Sequence, residues 1–404
     1  MKHKYITKQN LGVLIALSLF AVTVAIFNWK GYTDTASKQI KLNTEKEPAK
    51  REDTEVSVSD VNISGQIMFV KDKKLFVLDP ESNEVTELVS KPIVEHPGVL
   101  EDGRVYFWQE EAGVYSRLYL QKGKIFERFH IPIEPKDGSL GVGTPPIVAS
   151  SGKFVIFASD REAVDNYYRR ALYKYDLEKL ELSKLTDNTV MTVYEIFISP
   201  STDYIGFTFQ NIESSKGASP KALGIVVTET KTVNLYPKIQ VNNVSIAFSS
   251  DNKLIYLTAQ QGPAVFDLSK GKITDSLDGG VLRGASPDGV LAIEEEIDSS
   301  NLTFIESCGL EDSREFIQNN TLVFVAYEDG ELGEVSRVKS DEYAAVFPLN
   351  RSQYLFSPDS SEVLIIYRDK DHCEPVTGIL NLTTKSITPL DVIGNAPAFW
   401  LGGE

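Results

Sequence analysis

The chain has 404 residues, 42% of them hydrophobic and 24% charged, which is the balance of a folded protein. Its 41 Lys and Arg stand against 57 Asp and Glu, for a net charge of −16. A body this acidic repels nucleic-acid phosphates and anionic lipid headgroups, so neither is expected to bind its folded part.

Residues 1–10 carry Lys2, Lys4 and Lys8 and no acidic residue, and residues 11–29 carry no charge at all. An apolar run of that length spans a bilayer core of about 30 Å. The positive-inside rule then leaves the N-terminus in the cytoplasm. A cleaved signal peptide would show a shorter apolar core and small residues at its cut site. Here the run passes straight into Ile26-Phe-Asn-Trp-Lys30, a poor cleavage context. Residues 11–29 therefore read as a single-pass transmembrane signal anchor, with the remainder of the chain outside the cytoplasm. Residues 30–62 are rich in Lys, Glu, Thr, Asp and Ser, offer little to bury, and read as a disordered stalk.

From 63 to 404 two short phrases keep returning. One reads strand, polar turn, strand: Leu75 to Leu88, Ala171 to Leu185, Ala264 to Ile273 and Gly378 to Thr388. The other is Ser199-Pro-Ser-Thr202, Ser249-Ser-Asp-Asn252, Ser286-Pro-Asp-Gly289 and Ser357-Pro-Asp-Ser360, each between two apolar strands. Self-similarity at roughly 40–50 residues with several strands per unit marks a β-propeller. The Ser-Pro-Asp-Gly phrase suits the tight turn after an innermost strand, since Pro pre-sets φ and Asp-Gly accepts left-handed angles. Innermost strands are then expected at about 95–101, 145–150, 193–199, 243–249, 280–286 and 351–357.

The two ends of this domain complement each other. Gly65 to Val70 enters in the phase of a second strand, and Ala396 to Leu401 has the phase of an innermost one. Together they make one blade, closing the ring and removing open sheet edges. Pro287 to Ser357 is about one and a half repeats long, either one blade with an insertion or two trimmed blades. The expected fold is an all-β propeller of seven blades, with eight as the alternative.

These turns, and the Leu-Tyr-x-x-Asp-Leu strand-turn beginning at Leu172, make the chain resemble the TolB-like, WD-repeat-like propellers of bacterial envelope proteins. The resemblance covers about 65–404 and implies a location at the bacterial cell membrane. The order of anchor, stalk and propeller is also similar to the front part of the dipeptidyl-peptidase and prolyl-oligopeptidase families. Their hydrolase domain has no counterpart here, and no Gly-x-Ser-x-Gly elbow occurs, so peptidase activity is not implied.

No other catalytic pattern emerges. His96, His130 and His372 fall in different blades without metal-ligand spacing, and the carboxylate clusters lack the spacing of a calcium loop. Neither a metal nor another cofactor is expected. Cys308 and Cys373, the only cysteines, are a candidate disulfide in an extracytoplasmic setting, with separate thiols the other reading.

Turns joining strands one to two and three to four lie on one face of a propeller, and these are trimmed almost throughout. Connections on the other face are long: Ile131 to Thr144, Asp160 to Arg170, Gln210 to Pro220 and Arg368 to Pro375. Function concentrates on loops held by a rigid scaffold, which makes that face the expected binding surface. Within it Arg161, Tyr167, Tyr168, Arg169 and Arg170 are the candidate partner-binding residues, Tyr and Arg being the residues that anchor interfaces. The competing reading is that Tyr168 and Arg170 merely open a third strand and pack their own blade. The expected function is a membrane-anchored scaffold for an envelope protein or peptide. A carbohydrate or small-ligand sensor in the central funnel is the alternative, and a metal-dependent propeller hydrolase a more distant one.

Overall fold

The computed structural model describes residues 51–52, 65–89, 94–111, 114–132, 146–162, 169–211, 220–286, 288–295, 321–340, 342–347, 355–394 and 398–401, all within one compact unit, Ala49–Glu404. The expected anchor over 11–29 and most of the expected stalk lie outside these residues. Among the described residues no helix is long and apolar enough to cross a membrane, and every regular element is a β-strand.

The strands form six hydrogen-bonded antiparallel sheets, numbered here in chain order. Sheet 1 joins the two ends of the domain. Ala398–Trp400 is its innermost strand, followed outward by Ile67–Lys71, Lys74–Leu78 and Val85–Val89. Ile67 pairs with Trp400, Met68 with Phe399 and Phe69 with Ala398, and the Leu401 amide donates to the Gln66 carbonyl at 2.8 Å. The expected closure is therefore present.

Sheet 2 comprises Glu95–Val99, Val105–Glu111, Val114–Lys122 and Ile125–His130. It carries a fifth, outermost strand, Arg51–Glu52, which comes from within the expected stalk. An exposed outer edge is a ready template for extended backbone, and the chain supplies its own. Sheet 3 is Ile147–Val148, Phe154–Ser159, Ala171–Asp176 and Glu181–Lys184.

Sheet 4 has seven strands: Met191–Ile198, Tyr204–Asn211, Lys221–Val227, Thr232–Phe248, Leu254–Ala259, Pro263–Asp267 and Lys272–Ser276. Five sheets thus stand as separate blades, and the expected seven separate ones do not appear. The reason is that Thr232–Phe248 runs unbroken, pairing first with Lys221–Val227 and then with Leu254–Ala259. Its two halves pack on each other through Phe197, Leu223 and Ile225 against Ile255, Leu257 and Phe266.

Sheet 5 is Val281–Ala285, Val290–Glu295, Thr321–Glu328 and Glu331–Val338. Glu295 pairs directly with Thr321, so the strands on either side of residues 296–320 are neighbours in one blade. Sheet 6 is Tyr343–Val346, Glu362–Asp369, Val376–Asn381 and Ile387–Pro389. Its innermost strand starts earlier than the expected 351–357, with Tyr343–Val346 paired to the second strand; of the expected residues, Leu355 to Ser357 pair with that strand too, the Leu364 amide donating to the Leu355 carbonyl at 2.8 Å and Phe356 lying opposite Val363.

Second strands such as Phe154–Ser159 are buried along their whole length, whereas the outer strand Lys272–Ser276 is half-exposed. Each sheet is covered on both faces by its neighbours, so its inner strands read as continuous apolar runs. One such cluster sets Ile67, Phe69 and Trp400 of sheet 1 against Leu364 and Ile379 of sheet 6, sealing the ring.

The recurring phrases are turn chemistry. Ser199, Ser249, Ser286 and Ser357 are buried, and each hydroxyl accepts from the first amide of the next strand, at 2.8–3.0 Å. The hydroxyls of Ser249, Ser286 and Ser357 also donate to the Asp two residues on. The fourth residue, Thr202, Asn252, Gly289 or Ser360, is left-handed. At the outer turns Asp79, Asp176, Asp267 and Asn381 each accept backbone amides two or three residues on, and Asn83, Leu180, Gly271 and Lys385 take the left-handed position.

Candidate functional site

The strand order assigns every connection to a face. Third-to-fourth turns are short in every described sheet, and first-to-second turns are short in sheets 2 to 5; together these connections make the turn face. Second-to-third connections make the loop face. They are long at 160–170 in sheet 3, 212–220 in sheet 4, 296–320 in sheet 5 and 370–375 in sheet 6. They are short in sheet 1, where Asp72 and Lys73 are both left-handed, and in the second half of sheet 4 at 260–262.

The candidate residues meet this face unequally. Tyr167 and Tyr168 lie outside the described residues, as does Cys308. Arg161 is a strut: its Nη1 donates to the Pro132 carbonyl at 2.9 Å, tying the sheet 3 loop to the crossover from sheet 2. The carbonyl of Arg169 accepts from Asn188 Nδ2 at 3.2 Å, and that of Arg170 from the Val193 amide at 3.0 Å. Both therefore brace the entry to sheet 4 through their backbones. The Arg170 charge also acts on the Tyr194 phenol, pulling its pKa down.

The residues around that phenol are ones that the sequence reading missed. Tyr194 and Glu195 occupy a bulge in the innermost strand of sheet 4, between Val193 and Ile196. Tyr194 donates to Gln210 Oε1 at 2.7 Å. Glu195 accepts from Thr208 Oγ1 and, at 2.7 Å, from Lys221 Nζ, which also lies 4.6 Å from the Tyr194 ring centroid. Burial pushes the Glu195 carboxyl up, but the hydrogen bonds from Lys221 and Thr208 outweigh it and hold the group below its ordinary value. Burial raises the Tyr194 phenol, against the pull of Arg170. The result is a partly buried cluster of Tyr, Glu and Lys, with Arg170 acting on it, at the loop-face end of the first two strands of sheet 4.

Bulges of this kind recur on innermost strands. Register shifts occur at His96–Pro97 in sheet 2, Asn242–Ser245 in sheet 4 and Arg283 in sheet 5. A bulge adds a residue to one strand and re-aims the side chains beside it. In sheet 5 the redirected Arg283 donates through Nε to Glu294 at 2.7 Å, and Glu294 Oε1 accepts the Phe347 amide at 2.6 Å. That carboxylate is almost wholly buried and joins sheet 5 to sheet 6.

In sheet 6 His372 Nδ1 lies 2.9 Å from Asp369 and Nε2 lies 3.4 Å from Asp391. Cys373 beside it is disulfide-bonded, and Cys308 is the chain's one other cysteine. Among the described residues no three His, Cys, Asp or Glu side chains are grouped to hold a metal ion.

No protein-family model matches the chain, and no curated protein matches its sequence. Solved structures do. A prolyl endopeptidase is 14% identical with a TM-score of 0.51; the match covers 86% of this chain and only 51% of that one. TolB from Acinetobacter baumannii is 13% identical over 82% of this chain and 77% of its own, with a TM-score of 0.39. A putative 6-phosphogluconolactonase from Bacteroides fragilis is 13% identical over 82% and 95%, with a TM-score of 0.44. The first likeness speaks for the fold alone, and the other two are too loose to add to it. In architecture the chain is an all-β propeller.

Proposed function

We propose that this protein is a non-enzymatic, membrane-anchored propeller that presents its loop face to another protein or peptide of the bacterial envelope. Residues 11–29 anchor it and leave the folded body outside the cytoplasm. In this reading each half of sheet 4 counts as a blade, which makes seven. The observation that carries the proposal is the contrast between faces. The connections of the turn face are minimal and hold themselves with their own side chains. The loop face carries the long connections and, at the same end of sheet 4, Arg170, Tyr194, Glu195 and Lys221, a mixed aromatic and charged set of the sort that anchors interfaces.

The test is site-directed photo-crosslinking of the full chain in its membrane. A crosslinker at 170 or 194 should trap a discrete partner, and one at 103 or 252 on the turn face should not. Equal trapping from both faces, or none from the loop face, ends the proposal.

A second reading is favoured by one specific observation. Bulges re-aim polar side chains on several innermost strands, as they would around a small polar ligand in the channel. A thermal-shift screen with sugars and dicarboxylates separates the two: stabilisation lost on replacing Tyr194 and Gln210 by Phe and Leu would support the ligand.

A further inference from the structure

We propose that a cavity between the second half of sheet 4 and sheet 5 binds a short primary alkylammonium ion, with its tail inside and its charge at the mouth. The inference is independent of the loop-face proposal, whose residues belong to sheet 3 and the first half of sheet 4. The cavity has a volume of about 120 Å³ and lies where the chain crosses from the outer strand of sheet 4 to the innermost strand of sheet 5. The path of that crossover explains it. The Leu277 amide donates to the Pro263 carbonyl and the Gly279 amide to the Gln261 carbonyl, each at 2.8 Å, which ties the segment to sheet 4. At Gly280 it presses on the second strand of sheet 5, where an added Cβ would lie 2.8 Å from Ile293 Cγ2. At Gly279 a Cβ would meet nothing within 4 Å; here the crossover stands off and lines the cavity.

The lining divides by depth. Ile293, Val323 and Val325, each at most 3% exposed, make the floor together with Leu277. The mouth carries Asp278, Glu295, Glu334 and Arg337, all of them open to solvent in part or whole. Three carboxylates thus face one guanidinium. Arg337 is committed to two of them, donating to both oxygens of Glu295 and, at 2.7 Å, to Glu334. Lys385 of sheet 6 donates to the Arg337 carbonyl at 3.0 Å and does not line the cavity. Asp278 has no cationic partner among the described residues. Surface charge alone would attract any cation weakly, and screening would blunt it. An apolar floor beneath unmatched negative charge selects a cation that also has a tail to bury. A cavity of roughly 150 Å³ holds a benzene ring, so this one suits a tail of about four carbons. A diamine, or a lysine side chain entering by its tip, would instead carry a charge to the apolar floor.

The probe is n-butylammonium, added to the full chain in detergent and followed by saturation-transfer NMR with protein-free micelles as the blank. n-Butanol, the same tail without the charge, is the reference. The ammonium should bind about tenfold more tightly than the alcohol. Shortening its tail by one methylene should weaken it about fourfold. The diamine of the same length should bind about tenfold more weakly than the monoamine. Asp278 is exposed, so its replacement leaves the fold in place. Asp278→Asn should lower the ammonium affinity about fivefold and leave that of the alcohol unchanged. Asp278→Lys sets a resident cation at the mouth and should reverse the preference. No binding of the ammonium, equal binding of ammonium and alcohol or of monoamine and diamine, or an ammonium affinity untouched by Asp278→Lys, overturns the proposal.

Discussion

The turn face and the loop face are ends of the same strands, built by opposite means. On the turn face, short phrases fix the geometry: a buried serine hydroxyl accepts the next strand's first amide, an aspartate in three of the four accepts from the hydroxyl, and a left-handed residue completes the reversal. On the loop face there is no shared phrase. Sheets 3, 5 and 6 and the first half of sheet 4 carry long connections, while the other short ones close within a few residues. Local chemistry that repeats sets shape, and local chemistry that varies is left to function. Substitutions can test whether the division is as sharp as it looks.

The largest effect should come where the loop face breaks this rule. Arg283 and Glu294 lie at its inner rim, yet their side chains are only 15% and 3% exposed and they join two sheets. Arg283→Met strips the partner from a buried carboxylate, and urea denaturation should show a loss of about 3–5 kcal/mol. Adding Glu294→Gln should recover most of it, since the amide oxygen still accepts the Phe347 amide without a charge to bury. If the single variant costs no more than an exposed ion pair, this part of the rim is not structural.

Next is a turn-face position where glycine is required. Gly152 has φ +68, and a Cβ there would lie 2.7 Å from Leu100 Cδ1 and 2.9 Å from Arg104 Nη2. Gly152→Ala should cost about 1–2 kcal/mol from left-handed strain alone, with the clash adding to it. Gly103 is also left-handed but has open space beside it, so Gly103→Ala should cost less. Equal losses would mean that packing beneath the turn contributes nothing.

These positions also show what could be read in advance. The closure of Ile67 to Phe69 on Ala398 to Trp400 was legible because both ends keep the phase of the repeat. The turns were legible because their residue types are demanded by φ and by the hydrogen bonds they make. The sheet 4 cluster was not: Tyr194 and Glu195 look like any strand residues, and the bulge that redirects them has no composition of its own. The innermost strand of sheet 6 was legible only at its turn end, because Ser357-Pro-Asp-Ser360 marks Leu355 and Phe356 while Tyr343–Val346 lies well before any such phrase. Arg51–Glu52 gave no sign either, since two polar residues pair here only because an edge is waiting for them.

A smaller effect, with a pH signature, belongs to the serine turns. Ser249→Ala leaves the Leu254 amide without its acceptor and should cost about 1–2 kcal/mol. The Ser249 hydroxyl, with help from Lys253, holds the Asp251 carboxyl down at about 2. The unfolded chain, with a carboxyl pKa near 3.9, then binds the proton first as pH falls. The contribution of Asp251 is therefore complete above roughly pH 4 and is lost as pH drops toward about 2. Urea midpoints measured from pH 6 to pH 2 should fall more steeply for the unaltered chain than for the Ser249→Ala variant. Parallel slopes would show that the hydroxyl does not tune this carboxylate.

The smallest expected effect is a gain, and it tests whether even the turn face is fully optimised. At the outer turns the left-handed position is Asn83 in sheet 1 and Gly271 in sheet 4, residues suited to it, but Leu180 in sheet 3, with φ 57. Leu180 is 37% exposed, so its side chain returns little burial for the strain it bears. Leu180→Gly relieves about 1–2 kcal/mol of left-handed strain and gives back about 0.5–1 kcal/mol through the greater freedom of glycine in the unfolded chain. The net should be a gain of about 0.5 kcal/mol, seen as a higher urea midpoint. The reverse exchange, Gly271→Leu, should lose at least as much, because its Cβ would sit 3.3 Å from the Tyr236 ring. If Leu180→Gly is instead destabilising, Leu180 is held by packing that its exposure does not suggest, and the outer turns differ from one another in more than their left-handed residue.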